Sequence, residues 1–202
     1  MTSIMKFSLK LIGYVLALLI ILLTGLAIYY LHWVGEFESR HAAQILYVDD
    51  IDKDSFPPEV QSKVDALEES AYKTDALQLT PDEFARLLFF QLLENGYNVR
   101  AIYIDAADGE WDVWIKTGYG WFGGTIHKDN IQSAELYLTK LNFGPYHVGW
   151  MHLPGHHESL LQEINNTYSE TLLRLDVNEL TGRRIENIEL EEGGMTLKVI
   201  IR

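Results

Sequence analysis

The chain contains no cysteine, and this absence excludes several chemistries at once. No disulfide can form, no thiolate can bind a metal or act as a nucleophile, and no cysteine can carry a lipid anchor. Basic residues are also few, since 16 Lys and Arg stand against 29 Asp and Glu, for a formal net charge of −13. Because such a chain is repelled by phosphate groups, we expect neither nucleic acid nor an anionic lipid surface as a partner bound through charge.

The sequence also lacks the short motifs of the common enzyme classes. No Gly-x-Ser-x-Gly elbow, Walker loop, dinucleotide-binding fingerprint or His-Glu-x-x-His pattern occurs in it. We therefore expect a protein that is not an enzyme and that carries no cofactor.

Long apolar runs are absent except for one, at residues 11–34, which carries no charge over 24 residues. As a helix rising 1.5 Å per residue it would extend about 36 Å, enough to cross a hydrocarbon core of about 30 Å. The run ends in Tyr29, Tyr30 and Trp33, which are typical of a membrane interface, rather than in the small-residue cleavage site of a signal peptide. We therefore predict an uncleaved transmembrane helix at residues 11–34.

The charges on the two sides of this run predict its direction. Lys6 and Lys10 precede it without an acidic neighbour, whereas Glu36 and Glu38 follow it. By the positive-inside rule, residues 1–10 lie in the cytoplasm and everything after the helix lies outside. The expected location is a bacterial cytoplasmic (inner) membrane, with the C-terminal part in the periplasm or outside the cell.

The residues that follow, 35–78, are acidic and contain the Pro57-Pro58 pair, a composition typical of a stalk. Within them, apolar residues at helical spacing predict one helix after the prolines: Val60, Val64, Leu67 and Ala71. Fully extended, such a stalk would reach roughly 140 Å. Residues 79–202 would then form the folded extracytoplasmic domain.

The domain is predicted to begin with a well-capped helix. Thr80 can act as the N-cap and Glu83 can complete a capping box, while Asn95-Gly96 is a typical C-cap pair. Between residues 87 and 93 the helix is apolar almost all round. We therefore expect it to be wrapped by a sheet or to face a cavity.

Most of the remaining domain has the aromatic and β-branched residues, or the alternation, of strands joined by short turns. The predicted strands are residues 98–105, 112–116, 121–127, 134–139 and 146–153, followed by a hairpin within residues 185–201. A second helix is predicted from apolar residues on one side: Leu160, Leu161, Ile164, Tyr168 and Leu172. Short turns favour antiparallel pairing. The expected fold class is α+β, with an N-terminal transmembrane helix followed by a curved antiparallel sheet wrapped around one or two helices.

Two polar clusters invite a metal-site interpretation. One consists of His147, His152, His156, His157 and Glu158. Adjacent histidines point different ways and the first two have opposite strand parity, so we interpret them as solvated turn residues. The other consists of Asp105, Asp108, Glu110 and Asp112, which lack the later glutamate of a calcium loop. We expect a charged hairpin turn there and no metal.

The order of these parts resembles a known family. The resemblance is carried by Leu-Thr-Pro-x-x-Phe at residues 79–84, Gly-Trp-Met-His-Leu-Pro at residues 149–154, and the hairpin from Ile188 through Leu197. The chain is similar to the YpmS-like proteins, and more distantly to the YceB-like ones, over about residues 79–201. The resemblance implies a tubular lipid-binding domain with an apolar ligand in a groove, and no catalytic residues. The aromatic segment 111–124 and the acidic stalk depart from the family pattern.

Aromatic residues are concentrated in the predicted sheet: Trp111, Trp114, Tyr119, Trp121, Phe122 and Trp150. They suit the core of a sheet, the walls of an apolar groove or an exposed patch for another membrane protein. If they form a groove, its ligand-binding residues are Phe84, Leu88, Leu92, Trp111, Trp121 and Trp150.

Two functions follow from these alternatives. The leading hypothesis is an extracytoplasmic domain, anchored to the membrane by its N-terminal helix, that binds lipid-like apolar ligands such as acyl chains noncovalently in envelope lipid handling. The alternative is a ligand-free adaptor or assembly factor for an envelope membrane-protein complex. A continuous apolar channel of several hundred cubic ångströms would favour the first, and a packed interior would favour the second.

Overall fold

The computed structural model describes residues 2–52, 55–128, 136–148 and 183–201. The helices are α1 Thr2–His41, α2 Pro58–Glu69 and α3 Pro81–Glu94, with a short 3₁₀ turn at Val48–Asp50. The strands are β1 Leu46–Tyr47, β2 Thr74–Leu79, β3 Val99–Ala107, β4 Glu110–Thr117, β5 Gly120–His127, β6 Tyr137–Phe143, β7 Tyr146–Val148, β8 Arg183–Glu191 and β9 Gly194–Ile201. The chain divides into two compact units, Met1–Arg40 and His41–Arg202.

Helix α1 forms almost all of the first unit. It is long and apolar enough to cross a membrane over Ile12–His41, and its apolar side chains between Ile12 and Leu31 are exposed. Near its end the ring of Trp33 stacks on that of Phe37 with centroids 4.8 Å apart. The prediction of a long apolar N-terminal helix is confirmed, and the helix continues past the predicted end at residue 34.

The second unit contains two antiparallel sheets. The larger has the strand order β1-β3-β4-β5-β6-β7, and the smaller has the order β2-β9-β8. Tight turns form the local hairpins: Gly109 has a φ of 74°, which favours glycine, between β3 and β4. The α+β class with antiparallel sheets is confirmed.

Helix α3 supplies much of one continuous core. Its capping box is present as predicted, with Thr80 as N-cap and Glu83 reaching back to the Thr80 amide, and Asn95 is its C-cap. Its apolar residues pack with α2 and with strands of both sheets. The buried members on α3 are Phe84, Ala85, Leu87, Leu88, Phe89, Phe90 and Leu92.

The expected stalk at residues 35–78 is wrong, because most of it belongs to the folded unit. In β1, Leu46 pairs with Ile102 of β3, and in β2, Leu77 pairs with Leu197 of β9. The predicted helix after the prolines forms as α2, and three of the four predicted apolar residues are buried: Val60, Val64 and Leu67. The fourth, Ala71, lies beyond the end of α2 and is exposed. The acidic residues of α2 are exposed: Glu59, Asp65, Glu68 and Glu69. Their abundance therefore indicates a solvated helix surface and not an extended chain.

Several predictions fall partly or wholly outside the described residues. These are Trp150, the helix after residue 154, and the residues of the histidine cluster beyond His147. The strand predicted at residues 134–139 is described only from Tyr137, as β6, and the one at 146–153 only to Val148, as β7. The predicted terminal hairpin is confirmed as β8 and β9.

Candidate functional site

The predicted groove residues on α3 meet the larger sheet through aromatic contacts. The rings of Phe84 and Trp111 lie edge to face, with centroids 5.7 Å apart and planes at 72°. The indole nitrogen of Trp111 donates a hydrogen bond of 3.0 Å to the carbonyl oxygen of Glu191 at the end of β8. Trp111 therefore joins α3, the larger sheet and the smaller sheet at one point.

These residues are enclosed on all sides. Phe84 and Leu88 are 1% exposed, Leu92 is 6% exposed, and Trp111 and Trp121 are 0% exposed. A cavity wide enough for an acyl chain would give its lining residues accessible surface even without a ligand. The five described residues of the predicted groove thus lie in close-packed surroundings, and Trp150 lies outside the described residues.

The two tryptophans predicted to share the groove lie on opposite faces of the larger sheet. Trp111 pairs with Ile126 across β4 and β5, whereas Trp121 pairs with Lys116. Alternate residues of a strand point to opposite faces, so Trp111 and Lys116, five positions apart on β4, lie on different faces. Trp111 lies on the face that packs against α3. Trp121, as the partner of Lys116, lies on the other face. We call these the α3 face and the opposite face.

The opposite face has a dense aromatic centre. A Cβ atom at Gly123 would stand 2.6 Å from the Trp114 ring, so the indole packs directly on the backbone of β5. The ammonium group of Lys116 lies 5.8 Å from the centroid of the Trp121 ring, within cation–π range. Burial first, and then the nearby charges of Asp105 and Asp112, raise the pKa of Tyr103 to about 12.

A second aromatic group is exposed at one end of the sheet. The rings of Phe122 and Phe143, a cross-strand pair of β5 and β6, lie 5.0 Å apart, and each residue is 39% exposed. Tyr119, in the turn between β4 and β5, is 88% exposed. We call Tyr119, Phe122 and Phe143 the aromatic tip. The alternative of an exposed patch therefore applies to this part of the predicted aromatic set.

The opposite end of the sheet is acidic and is joined to the smaller sheet. The backbone amide of Gly109 donates to the Leu190 carbonyl at 2.8 Å, and that of Glu192 donates to the Asp108 carboxylate at 2.9 Å. Beside these bonds lies an open depression of about 570 Å³. We call its acidic residues the acidic junction: Asp108, Glu189, Glu191 and Glu192.

The carboxylates around the turn between β3 and β4 do not converge on one point. Asp108 accepts the hydrogen bond from Glu192, while Asp112 accepts one from the hydroxyl of Thr125 on β5. Within the described parts of the chain, no three His, Asp or Glu side chains are placed to hold a metal ion. The segment is the charged hairpin turn that the sequence predicts.

Comparison with known proteins adds no assignment to this geometry. No protein-family model, curated protein or solved structure matches the chain. The resemblance to the YpmS-like and YceB-like proteins stays a prediction.

Two features of the site were not predicted from the sequence. Phe143 was not named among the aromatic residues, because its partnership with Phe122 depends on the register of β5 and β6. The acidic junction depends on two turns that are 84 positions apart, at Asp108 and Glu192. The alternation of β6 was the available signal for the pairing of Phe143 with Phe122. No local signal existed for the acidic junction.

Proposed function

We propose that the protein is a single-pass membrane protein whose C-terminal domain is an adaptor for an envelope membrane protein. Residues 11–34 span a bacterial cytoplasmic (inner) membrane, residues 1–10 face the cytoplasm, and the domain lies in the periplasm or outside the cell. The length and exposure of the apolar helix support the span. Lys6 and Lys10 before it, against Glu36 and Glu38 after it, support the direction.

The filled core is the observation that carries the adaptor proposal. Phe84, Leu88 and Trp111, which a carrier would need as walls of its groove, have exposed fractions of 0–1%. A lipid chain could enter only if these contacts opened, which would expose the junction of α3 with both sheets. A rigid domain with a packed interior suits recognition through its surface.

The acidic junction is the surface that we assign to the partner. The backbone of its two turns is held by hydrogen bonds between the two sheets. Glu189 forms an ion pair with Lys198, and the side chains of Glu191 and Glu192 are exposed. Such a surface attracts a basic segment and steers its approach. The partner must also lie near the membrane, because only residues 35–45 separate the end of the charge-free run from β1.

Photo-crosslinking in cells tests this proposal with the full-length chain. A photoreactive amino acid at position 192 should give one discrete protein adduct, whereas the same group at exposed position 184 should not. Glu191→Lys should abolish the adduct, because it reverses charge at the junction. Glu69→Lys changes the net charge equally on α2, at an exposed position outside the junction, and should leave the adduct intact.

The outcomes separate the two hypotheses of function. A partner with a basic extracytoplasmic segment, captured only from position 192, supports the adaptor. Equal capture from both positions, or an adduct insensitive to Glu191→Lys, contradicts it. Stoichiometric recovery of an apolar small molecule with the domain would instead support the lipid-binding hypothesis.

A further inference from the structure

We propose that the aromatic tip docks on the surface of the same bilayer that anchors the chain. The inference rests on the proposed span, and it is independent of which partner the acidic junction binds. The occupant is the zwitterionic headgroup region of the membrane.

The first observation is the composition of the aromatic tip. Tyr119 extends from a turn with 88% of its surface exposed, and Phe122 and Phe143 are each 39% exposed beside it. Tyrosine is enriched at the headgroup level of membranes, and phenylalanine is among the residues that interfacial segments insert below it. The Arg100 guanidinium lies beside the same turn, 3.9 Å from the position of a Cβ at Gly118. A cation there can contact lipid phosphate although the chain as a whole is acidic.

Burial falls along one sheet face toward this end. On the α3 face, Trp111, Val113 and Ile126 have exposed fractions of 0–1%, whereas Phe122 and Phe143 reach 39%. Phe122 and Phe143 therefore lie on the same sheet face as the buried core residues, but at the end of the sheet where that face is less covered. Their exposed surface is apolar because of the sheet pattern.

The second observation is the short connection to the span. Helix α1 continues to His41, so residues 35–41 add about 10 Å beyond the charge-free run, at 1.5 Å per residue. Residues 42–45 add at most about 14 Å before β1 begins. A domain of this length has a radius of gyration of about 15 Å, so a connection of at most about 24 Å keeps it within about one domain diameter of the bilayer. The membrane surface is permanently within its reach, at high effective concentration.

The third observation is the small size of the aromatic tip. It exposes on the order of 300 Å² of side chain, taking about 200 Å² for a whole aromatic residue. A stable interface between two separate proteins buries about 800 Å² on each partner. A contact of this size is too small to hold a diffusing partner, but it suffices for a surface to which the domain is already tethered.

Site-specific fluorescence tests the docking, and the absence of cysteine makes each label unique. The full chain is reconstituted in phosphatidylcholine vesicles with an environment-sensitive nitrobenzoxadiazole label at Tyr119→Cys. We expect blue-shifted, several-fold brighter emission that lipid-attached quenchers reduce and that persists in high salt. A label at Glu192→Cys should stay water-exposed, and one at Leu22→Cys should be quenched within the span.

A matched pair of variants links the signal to the aromatic tip. Phe122→Ser should reduce the lipid quenching at position 119, whereas Tyr72→Ser, which removes an aromatic residue 74% exposed elsewhere, should not. Loss of quenching in both variants, or in neither, would overturn the assignment to these side chains. Circular dichroism of each variant verifies that the fold is kept.

The remaining outcomes are each decisive. A water-exposed label at position 119 with a quenched label at 22 refutes the docking while keeping the span. A water-exposed label at 22 refutes both. A signal at 119 that grows with protein density but is insensitive to lipid quenchers means that a second copy occupies the aromatic tip, which also overturns the proposal. None of these results depends on the crosslinking at position 192.

Discussion

The edge-to-face contact between Phe84 of α3 and Trp111 of β4, with ring centroids 5.7 Å apart, closes the space that a carrier of apolar ligands would keep open. Both rings are at most 1% exposed, and Trp111 is also held by its hydrogen bond to the Glu191 carbonyl. The contact joins the helix to both sheets, so it supports the architecture as well as filling it. This is the relationship on which the adaptor proposal depends.

Truncation of Phe84 should therefore behave as a core mutation. Phe84→Ala is expected to lower the free energy of unfolding by about 3–5 kcal/mol, through lost burial and a new cavity. Phe122→Ala, which removes the same side chain where it is 39% exposed, should cost less than about half as much. Chemical denaturation of the two variants measures the difference. Equal, small losses would mean that Phe84 faces an open groove.

The local parts of the fold were predictable from local chemistry. The capping box of Thr80 and Glu83 follows from four consecutive residues, and the buried side of α2 follows from the spacing of Val60, Val64 and Leu67. The hairpin turn at Gly109 requires a positive φ, which glycine adopts readily. In each of these cases the determining residues are neighbours in the chain.

The remaining parts of the fold depend on pairing between strands that are far apart in the sequence, which no local pattern predicts. Strand β1 has two residues and is recognisable only by its partner β3, and β2 pairs with β9 near the other end of the chain. For this reason, residues 35–78 resembled a stalk. The separation of Trp111 and Trp121 onto two faces required the register across the Gly118-Tyr119 turn, where a shift of one residue would reverse the result.

The approach of Trp114 to the β5 backbone predicts a strict requirement at Gly123. In Gly123→Ala the new Cβ would stand 2.6 Å from the indole ring, so the ring must move within a packed face. We expect a loss of about 1–3 kcal/mol in stability, typical of overpacking. Gly118→Ala is the matched control, since its Cβ meets only the Arg100 side chain, at 3.9 Å. Similar thermal unfolding of the two variants would contradict the packing of Trp114 on Gly123.

The Glu83–Lys63 ion pair at the start of α3 predicts that part of the folding stability is lost in acid. Partial burial acts to raise the pKa of Glu83, but hydrogen bonds from Lys63 and Thr80, together with the charge of Lys63, outweigh it and lower the pKa below the ordinary value of 4.5. The ammonium of Lys63 lies 2.7 Å from the carboxylate. Because the folded-state pKa is lowered, this stabilisation is complete above about pH 4.5 and is lost as the pH falls through the folded value.

Two variants isolate this component. Glu83→Gln and Lys63→Met should each reduce the decline of unfolding free energy in acid, and the double variant should lose no more pH dependence than Glu83→Gln alone. Denaturant titrations from neutral pH downward measure the profiles. Acid profiles identical to that of the unmodified chain would show that the pair does not contribute.

The acidic junction predicts a local effect at position 192. Asp108→Ala removes the acceptor for the Glu192 amide and should cost about 1 kcal/mol. Hydrogen exchange at that amide should accelerate, while Asp108→Asn, which keeps a side-chain oxygen, should preserve more of the protection. Unchanged exchange in Asp108→Ala would mean that the two turns are not held together by this bond.

Native mass spectrometry of the C-terminal domain tests the filled core most directly. A protease site at Ala42-Ala43-Gln44, an exposed turn after α1, lets the domain fold in the full chain and then leave the membrane without detergent. We expect the mass of the bare polypeptide in a well-folded charge state. A near-stoichiometric apolar molecule bound to the released domain would contradict the filled core and establish the lipid-binding alternative.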